Sequence, residues 1–439
     1  MIREISTDCG KVRGNERENC LEFLGIRYAK AERFEYAYPM DSWDGVYDAT
    51  SFGPCCVQRR TFVNDLHIKD RLFYYREFRE GLDFTYDEDC LNLNIYTPKE
   101  PDSCPVLIFI HGGGFNSMAN SEGYLDGSEY ASRGVILVTI NYRVGIFGYL
   151  THEEIQKSFG HDGNFGLSDQ ITAIAWVKKH IASFGGAPEN ITIMGQSAGA
   201  ISVQDICLAS QAEGLFQRAI MISGGGSWPF FAAPKKCSKT RDYWKTVMET
   251  AGAASFEEFK KMPSQNLILA VEKTKEIRKD GIFCTMPVID GFYLKDKVSR
   301  LIKHPVKIPY MIGVTNNDMY TLILYLMAKK FARKPNGYMY FFDADAPGDS
   351  NQAFHSSDLR YFFGTLDKSH RPYSDSDKNL SNMMLDYVVA FAKNGNPNSD
   401  GLPNWKPGKS AMCFSRECSG MAKPDIVKLI KNTFKGDPV

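Results

Sequence analysis

What the chain lacks narrows it first. No stretch approaches the ~20 consecutive apolar residues that a membrane-spanning helix needs. The opening residues, MIREISTDCG, contain no apolar h-region and do not read as a secretory signal. Neither sign of charge is in excess: 52 basic side chains face 52 acidic ones. A nucleic-acid binder usually carries a basic surplus or stripe, so no nucleic-acid partner is expected. Eleven cysteines in 439 residues are too few for a disulfide scaffold, and their odd number leaves at least one without a mate in the chain. No CxxC or Cys/His spacing suggests a metal, and neither metal nor cofactor is expected. These absences lead to the expectation of a cytoplasmic protein with reduced thiols. Internal repeats and low-complexity tracts are missing as well.

What is present is ordinary in amount and informative in order. Hydrophobic residues make up 43% and charged residues 24%, a globular composition in a chain long enough to bury a large core. Short apolar, β-branched runs recur at residues 106–110 (VLIFI), 135–140 (VILVTI), 191–194 (ITIM), 219–222 (AIMI), 310–314 (YMIGV) and 338–342 (YMYFF). Runs of four to six such residues bounded by Gly, Asn or Pro read as buried strands. Helical patterns lie between them. Leu380, Met384, Tyr387, Val388 and Phe391 recur at helical spacing until Gly395 and Pro397 stop the pattern. Strands alternating with helices predict an α/β fold, a central, mostly parallel twisted sheet with helices on both faces. We expect a single domain over residues 1–439. A charged, helical stretch at about 232–280 interrupts the strand rhythm, and we read it as a helical cap insertion. Ser255, three residues before Glu258, has the spacing of a capping box within it.

Two glycine-rich turns carry the chemistry. Gly195-Gln196-Ser197-Ala198-Gly199 follows the run ITIM and opens a helical pattern through Ile201, Val203, Ile206 and Leu208. That context is a nucleophile elbow, a sharp strand-to-helix turn that lifts a serine hydroxyl above the sheet. His111-Gly112-Gly113-Gly114-Phe115 directly follows VLIFI. Three consecutive glycines can turn their N–H groups toward one point, and Ala198 supplies another, which is what an oxyanion hole requires. A phosphate-cradling loop is disfavoured because no Lys-Ser/Thr follows the glycines. His111 reads as structural. Phe115 and Trp228, the latter after Ser223-Gly224-Gly225-Gly226, are candidate walls of an apolar substrate pocket; core packing explains each equally well.

A serine nucleophile needs a base, and the base needs an acid to orient it. On such a sheet the chain order is Ser, then Asp or Glu, then His. Of the histidines after Ser197, His304 sits before the acid turn and His370 in a polar stretch, whereas His355 follows the run YMYFF. Asp318 closes the polar turn TNND after YMIGV, with Asp343, Asp345 and Asp358 as alternative acids. The predicted reaction is hydrolysis of small to medium carboxylic esters through an acyl-enzyme. Thioester, amide or lactone hydrolysis would use the same groups. A non-enzymatic protein on such a scaffold would lack the nucleophile, which is present here.

These residues resemble the type B carboxylesterases, the group that includes carboxylesterases and cholinesterases. EDCLNLNIYTP at 88–98, HGGGF at 111–115, NYRV at 141–144 with Gly148, GNFGL at 163–167 with Asp169 and Gln170, and FGG at 184–186 through GQSAGA at 195–200 are similar to its motifs. The likeness runs from about residue 10 to 405 and thins between 232 and 280. It implies Ser197, His355 and Asp318 as the triad and Gly113, Gly114 and Ala198 as oxyanion donors. Cys56 and Cys90 match a disulfide pair of its secreted members. The chain departs from the family at informative places. The acid segment usually has Glu followed by Gly; here Asp318 precedes Met319. Gln196 stands where cholinesterases have Glu, and Arg27 where the family usually has Pro. No Trp lies between Cys56 and Cys90, where cholinesterases hold a quaternary ammonium, so a choline-ester specialist is not expected. The chain is also shorter than many relatives, which implies a reduced cap and a more open cleft.

Overall fold

A computed structural model describes residues 1–67, 69–226, 233–278, 284–301, 307–333, 336–408 and 410–435. Its spine is a 13-stranded sheet. In chain order the strands are β1 (Ile2–Thr7), β2 (Gly10–Glu16), β3 (Leu21–Arg27), β4 (Val46–Asp48), β5 (Asn92–Thr97), β6 (Cys104–Ile110), β7 (Ile136–Ile140), β8 (Gly186–Gln196), β9 (Arg218–Ile222), β10 (Tyr310–Thr315), β11 (Gly337–Phe342), β12 (Ala411–Phe414) and β13 (Gly420–Ala422). They lie in the order β1-β2-β3-β5-β7-β6-β8-β9-β10-β11-β12-β13, with β4 beside β2. From β7 to β12 every neighbouring pair is parallel. The N-terminal strands join this block antiparallel.

Each run that reads as a strand in the sequence is a strand here. The physical reason is burial on both faces. Side chains alternate across a strand, and in β6 the alternation sorts Val106, Ile108 and Ile110 into one apolar cluster and Leu107 and Phe109 into the other. Each such side chain stabilises the fold by about 1.5–3 kcal/mol.

The helices used below are α1 (Lys69–Phe78), α2 (Phe165–His180), α3 (Ala198–Leu208), α4 (Cys237–Ala251), α5 (Phe256–Lys261), α6 (Ser264–Ile277), α7 (Thr321–Phe331) and α8 (Asp375–Asn394). α2 and α3 supply Ile174 and Val203 to the first cluster, and α8 supplies Leu380 and Met384 to the second. Two layers of helix therefore sandwich the sheet. α8 starts at a capping box of Ser374 with Asp377 and ends at Gly395 with φ 80°, the stop its spacing predicts. Residues 237–277 are the helices α4, α5 and α6, and Ser255 caps α5 by accepting from the Glu258 N–H.

Register decides where chemistry can occur. Ile110 of β6 pairs with Gly195 of β8, Gln196 with Ile222 of β9, and Ile222 with Gly313 of β10. The carboxyl ends of these strands share one edge of the sheet. Every loop that carries a candidate residue leaves from that edge, where ligands of open α/β sheets bind.

Candidate active site

Ser197 sits between β8 and α3 with φ 55° and ψ −121°, a backbone region costly for any side-chain-bearing residue. The turn is held by the Ser197 N–H donating to the Ile222 carbonyl at 2.8 Å. Its flanking glycines are obligatory. A Cβ on Gly195 would stand 2.3 Å from the Gly199 carbonyl oxygen, and one on Gly199 would stand 2.1 Å from that of Ile110. The sharp turn is thus possible only because both flanks lack side chains.

The glycine loop leaves β6 through His111. That imidazole stacks on Tyr142 with centroids 4.4 Å apart, and the Tyr142 hydroxyl donates to the His111 carbonyl at 3.0 Å. Complete burial pushes its pKa down to about 4, so it stays neutral and structural, as the sequence suggests. Gly113 and Gly114 have φ of 91° and 61°. A Cβ on Gly113 would lie 2.1 Å from the Ser117 carbonyl oxygen. The N–H groups of Gly113, Gly114 and Ala198 donate to no described residue, and all three residues line the same cavity as Ser197. Unspent backbone donors around a strained serine are a prepared site for a developing negative charge.

The remaining groups come from the loops after β10 and β11. His355 Nδ1 lies 2.6 Å from Asp318 Oδ1, and both side chains are buried. The Asp318 carboxylate also accepts from the backbone N–H of Thr315 at 3.2 Å and of Met319 at 2.9 Å. Its own turn therefore presents the short side chain to the ring. The alternative acids are otherwise engaged. Asp343 and Asp345 accept from the Asn316 amide, and Asp358 accepts from the Tyr340 hydroxyl at 3.0 Å. Burial, then the charge of Asp318, lifts the Asp358 pKa to about 7. The two loops are stitched together by Asn317 N–H donating to the Ala353 carbonyl at 3.0 Å and Ala353 N–H donating to Asn316 Oδ1 at 3.3 Å.

With Nδ1 facing the carboxylate, Nε2 is the acceptor. The Gln196 amide nitrogen lies 3.2 Å from it and donates to Ser356 Oγ at 2.8 Å. Neither contact was foreseen from sequence; the Gln-for-Glu departure at 196 was the only signal. The braces Asn316 and Asn317 left no signal beyond their polarity. Ser197, Gln196, His355, Gly113, Gly114, Phe115 and Ala198 line one cavity of about 410 Å³. Phe115 is buried with its ring edge-on to Tyr149 at 5.3 Å. Trp228 and His304 lie outside the described residues. Cys56 and Cys90 are buried neighbours, both free thiols, and the Cys56 contact and burial push the Cys90 thiol well up.

Sheet order, strand-tip loops and elbow define an α/β hydrolase. The chain belongs to the carboxylesterase family, whose model matches residues 2–336 and 322–415. It is 29% identical to a para-nitrobenzyl esterase of Bacillus subtilis (strain 168) over 91% of both chains. It is also 29% identical to human carboxylesterase 5A, over 87% of this chain and 79% of the relative. A solved PNB esterase superposes with a TM-score of 0.82 at 25% identity, covering 98% of this chain and 99% of that one. The protein is an enzyme, a carboxylesterase acting on small-molecule esters. No described helix is long and apolar enough to cross a membrane.

Proposed function

We propose that the enzyme hydrolyses carboxylic esters through a Ser197–His355–Asp318 triad and an acyl-enzyme. The hydroxyl of Ser197 attacks the ester carbonyl while His355 Nε2 takes its proton. Asp318, on Nδ1, fixes the tautomer and stabilises the imidazolium. The carbonyl oxygen, now an anion, is held by the N–H groups of Gly113, Gly114 and Ala198. His355 then protonates the leaving alcohol, and water activated by the same ring releases the acid from Ser197. In the resting protein Gln196 shares the Nε2 lone pair, so the amide yields to the serine hydroxyl as the proton moves.

The observation that carries this reading is the pairing of three uncommitted N–H groups with the 2.6 Å Asp318–His355 contact on one cavity. Phe115 is read as a wall of the acyl site. Residues 232–280 are read as a helical insertion within one domain; Pro234 is the only described residue among them that lines the cavity. A reducing, cytoplasmic setting fits eleven cysteines that are all free thiols.

The test is labelling by a fluorophosphonate together with hydrolysis of p-nitrophenyl esters. Wild type should be modified on Ser197 and Ser197→Ala should lose at least about 10³-fold in kcat. Retention of more than a few per cent of the ester hydrolysis by Ser197→Ala would sink the assignment. Anilides and thioesters in the same panel separate the other acyl chemistries.

A further inference from the structure

The cavity has two unlike ends. Around Ala198 it is dry: Phe115, Met286, Ile201 and Leu324 cluster there. Around His355 it turns polar. The Tyr74 hydroxyl on α1 reaches the His355 carbonyl at 3.4 Å, and the same helix ends at Phe78. Arg79, Arg60 and Glu122 also line the cavity, and Arg79 directly follows that helix. Since His355 must protonate the departing alcohol in the reading above, on which this inference rests, the alcohol half belongs at the polar end and the acyl chain at the dry one.

The polar end is under-satisfied. Arg79 is fully engaged: it pairs with Glu122, donates to the Tyr86 hydroxyl at 2.8 Å and lies over the Phe84 ring. Arg60 is not. Its side chain is 8% exposed and its Nε is 2.7 Å from Asp65 Oδ2, yet the angles there make no hydrogen bond. Its Nη1 has no hydrogen-bond partner either, and stands 4.0 Å from Glu122 Oε1. The second Glu122 oxygen is likewise buried and unpartnered. A guanidinium and a carboxylate that keep unused hydrogen-bonding capacity beside their ion pairs to Asp65 and Arg79 thus meet on residues that line the substrate cavity. Arg60 and Arg79 balance Asp65 and Glu122 in charge. A substrate carboxylate would meet the two acids and an ammonium would meet the two guanidinium groups. A neutral hydroxyl suits both, because it accepts from Arg60 and donates to Glu122 in one placement.

We propose that the enzyme is built for esters of hydroxyl-bearing alcohols, with Arg60 and Glu122 reading a hydroxyl on the alcohol half and the apolar end taking the acyl chain. Small side-chain adjustments at Arg60 bring its unused donors to that oxygen. Where a site is arranged to hydrogen-bond a hydroxyl, the analogue lacking it is rejected because the polar groups stay unpaired.

The experiment compares glycerol monobutyrate with propyl butyrate, which share acyl chain and alcohol carbon count, by titrating released acid. Wild type should favour the glycerol ester by about tenfold or more in kcat/KM. Arg60→Met and Glu122→Gln should each bring that ratio toward one. Butyrylcholine and O-butyryl glycolate, one with an ammonium and one with a carboxylate on the alcohol half, should both fall below the glycerol ester. A wild-type ratio at or below one overturns the proposal, and needs no variant to fold. So does an unchanged ratio in an Arg60→Met or Glu122→Gln protein that melts with wild type, or a preference for either charged ester. If wild type cleaves neither butyrate, or Ser197→Ala cleaves both as fast, the triad reading itself falls.

Discussion

The two halves of the proposed catalytic edge are built from different materials. The loops after β6 and β8 work through backbone: strained Ser197, and N–H groups that Gly113, Gly114 and Ala198 leave unspent. The loops after β10 and β11 work through side chains: Asp318 on His355, Gln196 reaching across to the ring, and Asn316 and Asn317 as braces. Backbone devices need glycine at fixed places, because a Cβ there would stand 2.1–2.3 Å from a carbonyl oxygen. Side-chain devices need only a carboxylate within reach, which many turns can provide. The first half should therefore fail sharply with small steric changes, and the second with changes of charge or proton.

The largest effects should come from the side-chain half. Asp318→Asn keeps the size of the side chain but gives up one of the two oxygens that accept from the turn and the ring, and invites the wrong tautomer of His355. His355→Ala removes the proposed base. Both should lower kcat by on the order of 10³–10⁴-fold, read by p-nitrophenyl butyrate turnover. Asp318→Glu sharpens the point. The family's usual acid is one methylene longer, yet this turn already delivers the carboxylate at 2.6 Å, so Glu should overfill it and lower activity. Recovery of full activity by Asp318→Glu would mean that the turn does not set the reach.

Next in size is the backbone half. Gly113→Ala adds one methyl, but φ of 91° and a 2.1 Å approach to the Ser117 carbonyl force the loop to move. Loss of one oxyanion donor typically costs about 10²–10³-fold in kcat. KM should change little if the donors act, as proposed, on charge that exists only in the transition state. A variant that loses KM and keeps kcat would place the loop in substrate binding instead.

Between the halves stands Gln196, from the elbow but touching the ring of the other half. Gln196→Glu puts a carboxylate beside Nε2, which favours the imidazolium. The pKa of His355 then rises, and its base form appears only at higher pH. The acid limb of the kcat/KM profile should move up by about one pH unit, with the plateau largely kept. An unmoved limb would mean that the amide contact at 3.2 Å has no bearing on the proton.

The same contrast explains what could be read without coordinates. The strands were legible because double-sided burial demands unbroken apolar runs, and both glycine turns because steric necessity writes itself as glycine. Ser197 and Ala198 followed from that, and Gly113 and Gly114 from the family resemblance. His355 followed from chain order, while Asp318 had three rivals, since a buried carboxylate is recognised only by what it touches. Arg60 and Glu122 were invisible for the same reason. They are 62 residues apart, and nothing local marks the meeting of a loop before α1 with the segment after the oxyanion turn.

Behind each half lies a buried carboxyl, and the pair allows a last, smaller test. Asp358 sits behind His355 with its pKa raised to about 7, and Asp205 lies in α3 behind the elbow with its pKa raised by burial to about 8. For Asp205 the unfolded value is near 3.8. Below that pH the group is protonated whether folded or not, and stability is unaffected. Between about 4 and 8 the folded protein keeps a proton that the unfolded chain releases, so stability falls as pH rises, and it levels off above about 8. Each unit of difference corresponds to about 1.4 kcal/mol, though relaxation and water entry reduce the realised total. Asp205→Asn cannot ionise, so its stability should lose most of this slope and exceed that of wild type at pH 8 by at least about 1 kcal/mol in urea melts. Its kcat should change little, because Asp205 lies outside the cavity wall. A variant with the wild-type slope would move the titrating group elsewhere, and one that loses kcat as well would tie this carboxyl to the backbone half of the site.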